Sequence, residues 1–400
     1  MSGDDKPKPD PKTWGVSTRL VRGGTVRSQF METSESIFMT SGFTYNSAAE
    51  ADARFSGELP GFVYGRYGNP TLKMLEDRLA LMEGAEACRV TSSGMAAVAA
   101  TMLAQLKAGD VMVASKALFF SCRWIIETFM PKFGLTARLV DGEDMEQWRA
   151  ALPGANICFL ESPSNPMLGL VDIAGVCEIA KKNGVQVVVD NVFASPMLQK
   201  PLELGADLVV YSSTKHIDGQ GRSLGGAILG KADLLKEAFE EYMRHIGPAL
   251  SPFNAWIQLK GLETLSLRVD RMTQTAHALA ERLEGHPKLE SVLYPFLKSH
   301  PQHELAKRQM KAGGTLLAFT IKGGRQEAWR FLDSLQVADI SNNLGDSKTL
   351  ATHPVTTTHR KLPDDEKLKL GVKEGSIRVS VGLEDFNDLA DDILQALDRV

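Results

Sequence analysis

Three short apolar runs in this chain end in residues that can do chemistry. ICFL (157–160) runs into ESPSNP, VQVVV (185–189) into Asp190 and Asn191, and DLVVY (207–211) into Ser212, Ser213, Thr214 and Lys215. Ligands of open α/β sheets gather beyond the carboxyl ends of the strands, so these residues come first. A neutral lysine amine condenses with an aldehyde, and a carboxylate facing a ring nitrogen keeps that nitrogen protonated, so the ring can take up the electrons of a carbanion. Lys215 and Asp190 suit those two tasks, the pairing that a pyridoxal phosphate (PLP) site requires. A phosphate needs backbone N–H groups at a helix start and hydroxyl donors. Gly94 and Met95, heading the helix that follows SSGM, can supply the first, and Ser212 and Thr214 the second. Singly, each residue has a plainer reading: a surface lysine, an aspartate capping a loop, a glycine that permits close packing. Their joint order favours a ligand.

The elements that must position these groups follow from hydrophobic period. VMVAS, TARLVD, NICFLES, VQVVVD and DLVVYSS alternate with helical patterns over 121–132 and 172–183. Such runs predict a mostly parallel sheet buried on both faces, hence an α/β fold. Leu72, Leu75, Leu79 and Met82 recur at helical spacing before Gly84 and predict a helix over 71–85. After GGAILG the pattern is helical to about residue 285. Strand candidates TLLAFTI and SIRVSVG follow, then a terminal helix in EDFNDLADDILQALDRV. The expected division is an N-terminal tail and extended arm (1–62), a ligand-binding domain (63–255) and a C-terminal domain (256–400). An arm with so few helical periodicities is expected to lie against a neighbour.

Composition narrows the partners. With 45 Lys and Arg against 49 Asp and Glu, the chain has no excess of positive charge with which to neutralise nucleic-acid phosphates. No apolar run is long enough to cross a membrane, and MSGDDKPKPDPKTW is charged where a secretory signal is apolar, so a disordered tail and a cytoplasmic enzyme are expected. Cysteines 88, 122, 158 and 177 form no CxxC pair and read as reduced thiols. His300 and His303 lie in the loop-like SHPQHE with no third ligand close by, so no metal is expected. GQGRSLGG lacks the strand, turn and helix context of a dinucleotide fingerprint.

YGRYGNPT (64–71), SSGM (92–95), ESPSNP (161–166), DNVF (190–193), SSTKH (212–216), NNLGD (342–346) and IRVSVGLED (377–385) resemble, in order, the motifs of the Cys/Met-metabolism family of PLP enzymes. The likeness runs from about residue 15 to the C-terminus. It implies a fold type I subunit with a mostly parallel central sheet and a smaller C-terminal α/β domain, in a homotetramer built as a dimer of dimers with shared active sites. Lys215 is then the Schiff-base lysine and general base, and Asp190 the partner of the pyridine nitrogen. Gly94, Met95, Ser212 and Thr214 hold the phosphate, and Asn165 lies near the ring oxygen. Tyr64 and Arg66 reach the phosphate from the neighbouring subunit, with Tyr64 a second candidate proton donor and substrate contact. Arg378 grips the substrate α-carboxylate, for which its planar fork is suited.

Two departures from the family pattern bear on the reaction. Phe119 stands where the family usually stacks a tyrosine on the ring, and it has no hydroxyl with which to protonate a leaving group. A thiolate, of parent pKa roughly 8.5, leaves better with an acid's help, whereas a carboxylate, of parent pKa roughly 4, needs little. An acylated homoserine is therefore the expected substrate, with sulfide as nucleophile. Phe120 replaces a usual glycine and narrows the site. Asn343 replaces a usual serine before LGD and is retained as a substrate contact. NNLGD, THPVTTTH and the Phe119 region look most similar to the members that consume O-succinylhomoserine. Cysteine as nucleophile, an acetyl ester, and simple elimination of a thiol are the alternatives.

Overall fold

Seven apolar runs pair into one sheet: β1 (Ala87–Thr91), β2 (Val111–Ser115), β3 (Thr136–Val140), β4 (Ile157–Glu161), β5 (Gln186–Asp190), β6 (Leu208–Tyr211) and β7 (Gly226–Gly230). Their order in the computed structural model, which describes residues 10–400, is β1-β7-β6-β5-β4-β2-β3. β7 runs against its six fellows, and the rest are mutually parallel, as the sequence predicts for most of the sheet. Both faces are covered. Val188 of β5 packs with the helix Gly94–Leu103 on one side, while Val187 and Val189 pack with the helix Ile173–Lys182 on the other. A strand buried on both faces has no polar alternation, and this is why VQVVV reads as an unbroken apolar run.

A second sheet contains β8 (Leu289–Leu293), β9 (Leu316–Ile321), β10 (Asp339–Ile340), β11 (Leu350–Thr352) and β12 (Ser376–Ser380), in the order β10-β11-β12-β9-β8. It is antiparallel except between β10 and β11. The helices Leu265–Leu283 and Phe386–Asp398 close its core through Ala276, Leu279, Leu389 and Ile393. The second sheet brings Arg378 to the site: on β12 it is paired with Ala318 of β9 and Thr352 of β11.

Two stretches differ from the sequence reading. The segment 121–132 is not one α-helix: an α-turn at Phe120–Trp124 widens into a π-turn at Ile125–Phe129 and tightens into a 3-10 turn at Met130–Phe133. Pro131 has no N–H to continue an α-helical ladder. The arm contains the helices Val16–Arg22 and Ala48–Phe55, each too short to show a clear period. Leu20 of the first is fully buried with Leu75 and Leu79 of the helix Pro70–Glu83. Residues 1–9 of the expected tail lie outside the described residues. The four cysteines are buried and unpaired.

The arm is fastened by charge as well. Glu35 is buried and meets both the fully buried Arg78 and Lys260. Burial works against ionisation of Glu35, but hydrogen bonds from Lys260 and Arg78 outweigh it and hold the carboxyl at about 2. A depressed carboxyl adds stability above its unfolded value of 4.5, and that stability is lost as pH falls from there toward 2. Glu35→Ala strands the Arg78 guanidinium in the interior. It is expected to destabilise the fold by about 3–5 kcal/mol in urea melts and to remove that part of the acid sensitivity.

Candidate functional site

The ends of β4, β5 and β6 and the start of the helix Gly94–Leu103 enclose a cavity of about 250 Å³. Lys215, Asp190, Gly94, Met95, Ser212, Thr214, Phe119, Asn165 and Arg378 all line it. Nine of the residues singled out in the sequence therefore meet in one place, drawn from six separate segments. Asn343 joins them through a hydrogen bond from Lys215 Nζ to its Oδ1. Tyr64 and Arg66 do not line this cavity. Arg66 lies over the ring of Tyr67, 4.9 Å from its centroid, beside a different cavity, and donates to the carbonyl of Arg244. Tyr64 packs edge-on against Tyr67 and is 42% exposed.

The helix start is built by side chains on either side of it. Ser93 caps the helix by accepting from the N–H of Ala96 at 3.1 Å. A side chain at Gly94 would lie 2.6 Å from Cβ of Ser212, so only glycine lets the helix end and the β6 loop approach this closely. The backbone N–H groups of Gly94 and Met95 open the helix beside the Ser212 hydroxyl, which makes a cradle for an anion. Thr214 is placed as expected, but its hydroxyl exchanges hydrogen bonds with the backbone of Gly225, at 3.1 and 3.2 Å.

Glu161 and Asp190 are register partners at the ends of β4 and β5, which puts two carboxyl groups side by side in the interior. Burial raises the Asp190 carboxyl to about 7, opposed by the N–H of Val192 at 3.1 Å. Burial and then the charge of Asp190 push Glu161 well above the carboxylate range. One such pair can share a proton, and a cation placed against Asp190 would let it ionise. Glu161 was legible only as part of a motif. Its two oxygens accept from the N–H of Phe119 at 2.8 Å and of Asn165 at 3.1 Å, so it ties together the two loops that flank the cavity.

Arg378 is fully buried. Its guanidinium donates to Asn165 Oδ1 at 3.0 Å and to the carbonyls of Asn342 and Asn343 at 2.9 and 3.2 Å, while Nε has no partner among the described residues. Burial lowers its pKa to about 10, and Glu161 counters part of that. Burial and then the Arg378 charge bring the Lys215 amine down to about 8. A lysine so placed has a substantial neutral fraction near neutral pH and can act as nucleophile and base.

The family description "Cys/Met metabolism PLP-dependent enzyme" matches residues 17–398. The chain belongs to that family. An O-succinylhomoserine sulfhydrylase of Mycobacterium tuberculosis is 51% identical over 98% of each chain. One from Pseudomonas aeruginosa is 45% identical over 95% of this chain and 94% of its own. Among solved structures, a Campylobacter jejuni protein assigned as an O-acetylhomoserine (thiol)-lyase and containing N'-pyridoxyl-lysine-5'-monophosphate superposes with a TM-score of 0.92. It is 31% identical, over 96% of this chain and all of that one. This chain is therefore a PLP-dependent enzyme of the type I fold, as the motifs implied.

Proposed function

We propose that this enzyme catalyses γ-replacement on O-succinylhomoserine with sulfide, giving homocysteine and succinate for methionine biosynthesis. The observation that carries the reading is the convergence of Lys215, Asp190 and Arg378 on one cavity in which Phe119 stands at the position where the family pattern has a tyrosine. The names of the two relatives at 51% and 45% identity support the succinyl ester.

The residues present fit PLP: a buried amine for its aldehyde, an unbridged helix start beside Ser212 for its phosphate, and a buried carboxyl for its ring nitrogen. When bound, PLP supplies an electrophilic carbon and an electron sink. Asp190, ionised against the ring nitrogen, would hold a proton on that nitrogen. Gly94, Met95 and Ser212 hold the phosphate, and Thr214 joins them by exchanging its bond to Gly225. Arg378 binds the substrate α-carboxylate, for which its unpaired Nε–H is available. Lys215 would take the α-proton of the substrate and return protons later in the cycle. Asn343 steadies that amine, and Asn165 turns its amide toward the ring oxygen while its own oxygen orients Arg378. The partner subunit's Tyr64 and Arg66 complete the phosphate site and supply a further proton donor, in a homotetramer of two such dimers. Four buried thiols suit a cytoplasmic enzyme.

Phe119 would stack on the ring and has no hydroxyl to protonate the leaving group, a lack that costs a carboxylate less than a thiolate. Phe119→Tyr is expected to raise elimination from cystathionine by about tenfold or more, the low end of what a positioned acid contributes, with little change for the succinyl ester. Wild-type enzyme that already eliminates thiols as fast as it consumes acylhomoserines overturns this role of Phe119. The deciding experiment for the reaction is steady-state kinetics on O-succinyl- and O-acetylhomoserine, each with sulfide and with cysteine. Homocysteine from the succinyl ester at the highest kcat/KM supports the proposal. Preference for cysteine, or ketoacid release with no nucleophile added, refutes it.

A further inference from the structure

We propose that Arg360 and Lys361 form the subsite for the acyl end of the substrate, binding the distal carboxylate by which a succinyl ester differs from an acetyl one. The inference rests on the γ-replacement reading and names the residues that choose its ester.

A second cavity of about 380 Å³ adjoins the Lys215 cavity, and Thr358 lines both. One wall is Phe120, Ser121 and Trp124, directly after the Phe119 that lines the catalytic cavity. The other wall is Thr357, Thr358, Arg360 and Lys361. A group leaving the γ-carbon past Phe119 and Thr358 enters this space.

The charge of the space fits an anion. Arg360 and Lys361 are both exposed, and among the described residues neither meets a carboxylate. The nearby acids are taken: Asp364 pairs with Lys367 at 2.9 Å, Asp365 with Lys369 at 3.1 Å, and Glu366 with Arg123 at 2.7 Å. Lys361 Nζ instead sits 5.8 Å from the centre of the Phe120 ring. Two neighbouring cations without counter-ions, on the wall of a cavity joined to the site, repel each other until an anion arrives.

The walls are also held in register. Arg123, nearly buried, bonds Glu127 on its own segment and Glu366 beyond the opposite wall. This pair clamps the segment carrying Phe119 and Phe120 to the one that follows Lys361, so the cations keep their distance from the reacting centre. An acetyl ester ends in a methyl group and has nothing to offer them. A succinyl ester presents a carboxylate that the Arg360 fork can grip with two parallel hydrogen bonds.

The test compares wild type with Arg360→Gln, Lys361→Gln, the double variant and the charge reversal Lys361→Glu, by kcat/KM for the succinyl and acetyl esters with sulfide. The succinyl-to-acetyl ratio is expected to fall about tenfold in each Gln variant and about a hundredfold in the double variant, carried by KM, and further in Lys361→Glu than in Lys361→Gln. These side chains are exposed, and unchanged absorbance of bound PLP verifies each fold. A wild type that consumes the succinyl ester, with a ratio untouched in the double variant, overturns the subsite alone. A wild type that does not consume it overturns the γ-replacement reading instead.

Discussion

Lys215→Ala is expected to yield a folded protein without turnover and without the yellow absorbance of PLP joined to that lysine. The residue is asked both to bond the cofactor and to move the α-proton, and base catalysis alone is worth about 10²–10⁴-fold. With the covalent role added, kcat should fall by about 10⁴-fold or more. Its replacement removes a buried amine whose charged form burial already disfavours, so the fold itself should not suffer. Retention of both turnover and absorbance would falsify the assignment. Exogenous amines of small size give a sharper check: partial rescue of rate in the alanine variant is expected, because the cavity beside Arg378 and Asn343 is left vacant rather than rebuilt.

Asp190→Asn is expected to separate activity from stability. Activity should drop by about a hundredfold or more, in the range seen when one preorganised electrostatic partner is removed. The cofactor-free protein should become more stable. Asp190 has its carboxyl raised from 3.8 to about 7, so between those values the folded state holds a proton that the unfolded state has lost. Stability of the cofactor-free wild type must then decline as pH climbs from about 4 to 7, and Asn abolishes that share of the decline. Melting curves at pH 5 and pH 8, with and without PLP, test it. A variant less stable than wild type at pH 8 in the absence of cofactor contradicts the account.

Much of this was legible because burial on both faces leaves a plain signature. β4, β5 and β6 read as apolar runs, and the polar residues after them were the site residues the cavity unites. Gly94 was legible as a helix start, but not as the point where a side chain would strike Ser212, since that contact joins segments far apart in the chain. Glu161 shows the same gap. Its position in ESPSNP was visible, while its link between Phe119 and Asn165 depends on how two loops fold back on β4. Pro131 announces the end of an α-helix and not the π-turn before it. β1 carries Arg89 amid modest hydrophobicity and gave no strong strand signal; it becomes a strand because β7 comes to lie beside it. Tyr64 and Arg66 were singled out by motif alone, and within the chain they lie beside Tyr67 and away from the Lys215 cavity.

That dependence of β1 on β7 has an outcome for synthesis. Within its sheet β1 pairs with β7 alone, and β7 must slot between β1 and β6, which were both made earlier. Emerging from the ribosome, the first strand of the sheet has to wait for its last, with its edge open throughout. Vitamin capture is then a late event, and nascent chains stalled before Gly226 should bind chaperones rather than PLP.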